Sequence, residues 1–339
     1  MKYLLRNLLL SSAVAASLVA CDLPHEFPDD GSRAVISFTL KLSFDTEMSL
    51  IDHTYPVTRE SDAYDVRYLI RAFDGDSINY SRQHSYEYIF TRNWRDTLDA
   101  SFDIIIPDGN WKFFAWTEFV NAGSKESKFH KTTDFASIEL IWSADEYPAN
   151  TDYRDAFRGE GCVTMASAVD TLAIAMSRPL AKFQFISTDL DKFISSRAEV
   201  RASRGEGSRD LYPSFRAEEY GIVFRYNGYM PFAYNMFTNR PSDSTLGVSF
   251  NGAISRLNES EALIGYDYIF VNGSSTFTSI SIEVYDLLYN ELIATAGPVE
   301  VPLKRSNLTT VRGEFLTSPT SGGVGIRPGF DGDFNLEIH

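Results

Sequence analysis

From Ala34 onward, apolar and polar residues alternate with a period of two. Ile36, Phe38, Leu40, Leu42 and Phe44 share one side, and Ser37, Thr39, Lys41 and Ser43 share the other, which predicts a half-buried strand. Residues 45–64 carry no clear period and read as a long loop. Val66, Tyr68, Ile70 and Ala72 then alternate with Arg67, Leu69, Arg71 and Phe73, and Asp74-Gly75-Asp76 closes that strand. Tyr86 to Thr91 reads as a third. Phe102 to Ile106 and Trp111 to Phe119 flank Pro107-Asp108-Gly109, and turn chemistry between two β-rich runs predicts a hairpin. Its second arm places Trp111 on one face and Trp116 on the other.

Further along, Ile138 to Trp142 is ambiguous between strand and helix, and a polar stretch runs on through Tyr153-Arg154-Asp155-Ala156-Phe157. Leu172 to Met176 is strand-like until Arg178-Pro179 breaks it. Beyond the N-terminal leader, one strong helix pattern stands out, from about Asp189 to Val200, with Ser187, Thr188 or Asp189 available as N-cap. Strand patterns resume at 220–226, 247–254, 262–271, 278–285 and 308–316. Many short strands and few short helices predict an all-β fold of two tandem sandwiches, built mostly from antiparallel sheet. The domain boundary is expected near Arg178–Leu180, giving an N-terminal sandwich over 34–179 and a C-terminal one over 180–339.

Composition sharpens this picture. Of 339 residues, 44% are hydrophobic and 14% aromatic, enough for genuine cores and biased toward pleated sheet. A net charge of −15 argues against nucleic acid as a partner. The first twenty residues read as an export signal, with Lys2 and Arg6 ahead of a short apolar run from Leu8 to Val19. Leu18-Val19-Ala20-Cys21 supplies the small residue and the cysteine that a lipoprotein signal peptidase requires. The mature chain is therefore expected to start at a lipidated Cys21, anchored to a membrane it does not cross. Residues 22–33, with two prolines and four acids, complete a flexible tether over 21–33. After lipidation Cys162 is the remaining thiol of the chain's two cysteines, so neither an internal disulfide nor a thiolate metal site is expected.

Candidate chemistry is sparse. The five histidines, His25, His53, His84, His130 and His339, fall in no hydrolase or metalloprotease frame. A pair of glycosidase carboxylates would meet only in space and leaves no spacing to read, so a glycan hydrolase stays open as an alternative. Asp331, Asp333, Asn335 and Glu337 are spaced by two and would share one face of a strand. Such oxygens could hold calcium, but the EF-hand ligand run is absent and a solvated acidic tail is the simpler reading. Trp94, Trp111, Trp116 and Trp142 could stack on sugar rings, making a carbohydrate-binding surface lipoprotein the other alternative; in a sandwich, aromatics are more often core. Residues 201–213, with three arginines and two glycines, read as a solvated loop open to proteases. No catalytic residue, metal ligand or cofactor is assigned.

Several segments carry a family resemblance. Val301 to Thr317 (VPLKRSNLTTVRGEFLT) and the tail Gly325 to Glu337 (GIRPGFDGDFNLE) resemble the C-terminal signature of fimbrillin-type lipoproteins of the Bacteroidetes. Asp152-Tyr153-Arg154-Asp155-Ala156-Phe157-Arg158-Gly159 and Arg178-Pro179-Leu180-Ala181-Lys182-Phe183 agree with it. The acids that follow Cys21 also resemble the surface-export signals of such lipoproteins. The resemblance implies transthyretin-like sandwiches on an outer-membrane, surface-exposed lipoprotein. It implies a structural or accessory subunit of type V pili that acts in assembly or adhesion and is not an enzyme. Its partners would be membrane lipid through Cys21, other fimbrial subunits by strand exchange, and host or microbial surface ligands. In polymerising members an Arg-specific protease removes the first strand. Arg59, the one basic residue of the 45–64 loop, is the expected cut site if this chain polymerises.

Overall fold

The computed structural model describes residues 34–44, 63–93, 98–143, 146–165, 171–205, 215–319 and the backbone of 335–337. The N-terminal half contributes β1 (Val35–Phe44), β2 (Tyr64–Asp74), β3 (Tyr86–Asn93), β4 (Ala100–Pro107), β5 (Gly109–Asn121), β6 (His130–Lys131), β7 (Ile138–Leu140), β8 (Ala156–Met165) and β9 (Thr171–Met176). The C-terminal half begins with β10 (Leu180–Ser187), α1 (Leu190–Ser203), β11 (Tyr220–Tyr226), β12 (Met230–Asn235), β13 (Arg240–Thr245) and β14 (Ser249–Gly252). It ends with β15 (Ser255–Arg256), β16 (Ala262–Phe270), β17 (Thr276–Asp286), β18 (Glu291–Leu303), β19 (Leu308–Gly313) and β20 (Asn335–Glu337).

The fold is all-β and contains two sandwiches. Sheets β4-β1-β9 and β3-β2-β5-β8 enclose one core; sheets β15-β16-β10-β19-β20 and β14-β11-β17-β18 enclose the other. A fifth sheet, β13-β12-β7-β6, draws strands from both halves and lays an arm of the second sandwich across the outer face of β2 and β5. That contact explains why β2 is buried on both sides. Val66, Tyr68, Ile70 and Ala72 face the first core, while Leu69 and Phe73 join Phe114 and Trp116 beneath Tyr234 and Met236.

The two sandwiches repeat one topology. In each, the first strand lies at the centre of its sheet: β1 pairs antiparallel with β4 and parallel with β9, as β10 does with β16 and β19. In each, the next long strand (β2, β11) crosses to the facing sheet and pairs with a long antiparallel neighbour (β5, β17). The repeat lies in pairing order, and alternation within single strands carries no trace of it.

Three expectations change. Pro107-Asp108-Gly109 is not a hairpin turn: β4 pairs with β1, whereas β5 pairs with β2 and β8 in the facing sheet. The turn is a corner that carries the chain over the core, with Gly109 at φ 141° and the Trp111 Nε1–H donating to the Pro107 carbonyl at 2.8 Å. A hairpin and a corner share turn residues, and both turn Phe102, Ile104, Trp111 and Phe113 toward one core, so the pattern could not separate them. The helix runs Leu190–Ser203 and Asp189 occupies its N-cap, but the Asp189 carboxylate makes no cap bond. It instead accepts from the Thr317 N–H at 2.8 Å and hydroxyl at 2.6 Å, tying the helix start to the chain after β19. Finally, 335–337 is no free acidic tail. Its backbone forms β20, parallel to β19 at Thr310–Arg312.

Candidate strand-acceptor groove

β1 is held in place by both its neighbours and its own inward face. Its ladder to β4 spans Val35–Leu42, and its ladder to β9 spans Thr39–Phe44. Phe38, Leu40 and Leu42 are buried, with Ile36 and Phe44 half-buried at the two ends, as the alternation predicts. Phe38 meets the edge of Phe113 at 5.7 Å between centroids, and Phe44 meets Phe157 at 5.0 Å. Outside, Thr39 donates from its hydroxyl to Asp103 at 3.1 Å, and the Phe44 N–H donates to Asp99 at 3.0 Å. Without β1, the slot between β4 and β9 would be floored by Ile104, Phe102, Ile174 and Met176, beneath Phe113 and Tyr68 of the facing sheet. Being first in chain order among the described strands, β1 can leave this slot without unthreading any other element.

Behind the groove, buried ion pairs weld the two sandwiches. A 3-10 turn, Asp152–Arg154, precedes β8 and presents Asp152 and Arg154 to the second sandwich, with Asp155 just past it pairing with Arg178. Arg154 pairs with Asp267 on β16 and donates to the Tyr268 carbonyl at 2.8 Å. Asp267 also accepts from the Tyr147 hydroxyl at 2.8 Å and the Tyr226 hydroxyl at 2.6 Å. The Lys182 ammonium reaches Asp152 at 2.7 Å, and Arg178 Nε holds both Asp155 oxygens at 3.0 and 2.8 Å. Burial pushes the Asp155 carboxyl up to about 6, against the opposing pull of the Arg178 charge and its bonds. Burial likewise raises Asp267, despite Arg154 and the two tyrosines. A second cluster lies on the outer face of β2 and β5, where Glu118 forms ion pairs with Arg67 and His130 and accepts from the Ser127 hydroxyl at 2.8 Å. There burial pushes Glu118 up, but the His130 bond and the charges of His130 and Arg67 outweigh it and leave the carboxyl lowered.

Cys21, Arg59, Trp94 and the acids Asp331 and Asp333 lie outside the described residues, as do residues 206–214 of the basic loop. Its described arginines are paired, Arg201 with Glu219 and Arg204 with Glu291. Trp111 and Trp116 are buried, and Trp142 packs half-buried against the second core beside Tyr147. The three described tryptophans therefore serve packing and offer no adjoining exposed faces for sugars. His130 is a buried partner of Glu118, and His84 sits beside Phe73 and Glu87. Among the described residues no group of three metal-ligating side chains comes together. The buried carboxylates Glu118, Asp155 and Asp267 each carry a cationic partner and act as structural locks. Arg154, Asp267 and Asp155 escaped the sequence reading as a site because partners separated by 23 and 113 residues leave no local spacing.

A family model, described as a family of unknown function (DUF6562), matches residues 31–339. The chain belongs to this family. No curated protein matches it. Among solved structures it is similar to a candidate polysaccharide-binding protein (DUF1812) of Bacteroides thetaiotaomicron, at 11% identity and TM-score 0.45, covering 77% of this chain and 79% of that one. It is also similar to the fimbrial anchor protein Mfa2 of Porphyromonas gingivalis, at 14% identity and TM-score 0.37, covering 76% and 81%. A third is a fimbrial assembly protein of Parabacteroides distasonis, at 10% identity and TM-score 0.35, covering 83% and 91%.

Proposed function

We propose that this protein is a lipid-anchored cell-surface subunit of fimbriae that works in assembly or adhesion and performs no catalysis. The observation that carries the reading is the place of β1: first in the described chain, central in its sheet, and bound by a continuous apolar face. Removing such a strand uncovers about 5–9 kcal/mol of buried side chain at Phe38, Leu40 and Leu42 alone, at roughly 1.5–3 kcal/mol each. An open groove of that cost is refilled by any matching strand, and a strand from the next subunit turns the repair into assembly. With β1 retained, the same chain is an anchor or accessory subunit. The fimbrillin-type segments, the Cys21 motif and the acidic residues after it support a place at the outer membrane.

Two measurements test this reading. Cys21→Ala is expected to abolish labelling by an alkynyl fatty acid in cells, and undiminished label would remove the anchor. If the chain is a polymerising subunit, limited digestion with an Arg-specific protease is expected to cut at Arg59 and release β1. N-terminal sequencing would identify the cut, and gel filtration would then show laddered oligomers. Cutting at Arg59 that leaves only monomers would rule out polymerisation by strand exchange and leave the anchor or adhesin role.

A further inference from the structure

Four cationic side chains, widely spaced in sequence, gather round the tip of the arm that the second sandwich lays across β2 and β5. Lys112 and Arg158 come from the neighbouring strands β5 and β8, Arg82 from the loop between β2 and β3, and Arg305 from the turn between β18 and β19. Arg158 donates to the Met236 carbonyl at 3.0 Å. Arg305 donates to the Asn239 Oδ1 at 2.8 Å and to the carbonyls of Asn239 and Val271 at 3.1 and 2.8 Å. Asn239 sits at φ 57°, a left-handed turn that presents both its oxygens to that guanidinium. Arg82 lies over the rings of Tyr80 and Phe237 at 4.9 and 4.8 Å, and the Lys112 ammonium lies 6.0 Å from the same Tyr80 ring.

The charges in this cluster do not balance. Glu160 is the one carboxylate that meets any of the four among the described residues, and its Oε2 serves two of them, Arg158 at 3.2 Å and Lys112 at 3.3 Å. Arg82 and Arg305 have no acid beside them; they bond to a tyrosine hydroxyl and to amide oxygens. Asp76, in the same loop as Arg82, is taken up by the N–H groups of Ile78 and Asn79 at 2.8 and 2.6 Å. Four cations against one carboxylate leave three positive charges in a chain of net charge −15. The other buried arginines differ, since Arg67, Arg71, Arg154, Arg178 and Arg197 each hold an acid. Burial draws the Arg305 guanidinium below its ordinary basicity, the Arg158 charge adds to the fall, and Tyr234 opposes it. Arg158 is only 6% exposed, yet its Nε and Nη1 have no hydrogen-bond partner among the described residues. A buried guanidinium is costly until both its charge and its N–H groups are met.

We propose that this cluster is a binding site for one oxyanion, a sulfate or phosphate group, seated among Lys112, Arg158 and Arg305 in place of the Glu160 carboxylate. Guanidinium forks match the oxygens of such a group and bond to it more strongly than to neutral acceptors. The Glu160 side chain is 40% exposed, so it can turn to water and yield its place. Arg82 and the half-buried Tyr80 and Phe237 flank the cluster where the body bearing the oxyanion would rest. The overall negative charge repels anions from the rest of the surface, so retention here depends on the local excess of cations. The site needs neither cleavage nor loss of β1 and stands apart from the polymerisation reading.

The test is calorimetric titration of the full chain, as Cys21→Ser, with sodium sulfate at ionic strength held constant with chloride. The parent is expected to bind one sulfate, and Glu160→Gln, which removes the internal competitor, is expected to bind it about tenfold more tightly or better. Arg305→Gln added to Glu160→Gln is expected to reverse that gain, with near-ultraviolet circular dichroism showing that the fold is kept. Glu283→Gln, which frees the solitary surface cation Arg225, is the control and is expected to leave sulfate affinity at the parent value. A short dextran sulfate that binds far more tightly than free sulfate would place the oxyanion on a polymer, and equal affinity per group would make the free ion the ligand; the site stands in either case. No saturable binding by Glu160→Gln, affinity equal to that of the parent, the same gain in Glu283→Gln, or a gain that survives Arg305→Gln would overturn the proposal.

Discussion

Replacing Arg178 with methionine is expected to lower the free energy of unfolding by about 3–5 kcal/mol, the usual cost of breaking a fully buried ion pair. Arg178 and Asp155 are both wholly inaccessible, and the guanidinium also lies over the Phe157 ring at 4.6 Å. Methionine restores the volume but leaves the Asp155 carboxylate without its counter-charge. Asp155→Leu in the same chain removes that stranded charge, so the double variant is expected to recover most of the loss. Urea denaturation followed by the fluorescence of buried Trp111 and Trp116 reads both. A double variant no better than the single one would mean that Arg178 acts through its packing alone.

The same pair sets a pH dependence. The carboxyl of Asp155 titrates near 6 in the folded chain and near its ordinary value of 3.8 once unfolded. The folded state therefore binds more protons between those values, and stability rises as pH falls from about 6 toward 4. The gain from this group is at most about 3 kcal/mol, at roughly 1.4 kcal/mol per unit. Asp267 is raised as well and pulls the same way. Glu118, whose carboxyl is lowered, works oppositely, losing its contribution only below the ordinary glutamate range. Asp155→Asn is expected to flatten the slope between pH 6 and 4 relative to the parent. An unchanged slope would assign the dependence elsewhere.

Alternation made β1 legible because one of its faces is wet. It failed for β10, which is buried along its whole length. There Ala181, Phe183 and Phe185 face the core, while Lys182 bonds across the junction to Asp152 and Gln184 to Thr310 on the neighbouring β19. Polar residues inside a protein look like solvent-facing ones until their partners are known, and these partners lie 30 and 126 residues away. β18 was hidden differently. The strand patterns leave it out; Pro298 and Pro302 each remove a backbone donor, which an edge strand tolerates. The groove was visible in outline, since the five apolar residues of β1 announce a matching slot. That the slot is closed by a parallel strand, β9, and not by a second antiparallel one could not be read from pattern alone, because pairing direction leaves no mark on alternation.

Truncating Leu40 to alanine is the sharpest probe of how firmly the first strand sits. Leu40 is fully buried midway along β1, and its backbone lies in both ladders, opposite Phe102 on one side and Leu172 on the other. Loss of its side chain is expected to cost about 2–5 kcal/mol, as cavity-forming substitutions in well-packed cores do. Lys41→Ala, one residue along and facing solvent, is expected to change stability by less than about 0.5 kcal/mol. The distribution of the loss matters more than its size. If β1 is a separable element, Leu40→Ala should speed hydrogen exchange of the β1 amides and their partners in β4 and β9, while β10 and β16, with the same topology in the second sandwich, keep their protection. If β1 is instead fused into one cooperative unit with the junction, exchange in β10 should rise in step, because the buried pairs at Arg178 and Lys182 would transmit the loss. Uniform acceleration would therefore argue against a strand built to be withdrawn, and selective acceleration would identify β1 as the part of the fold able to leave before the rest.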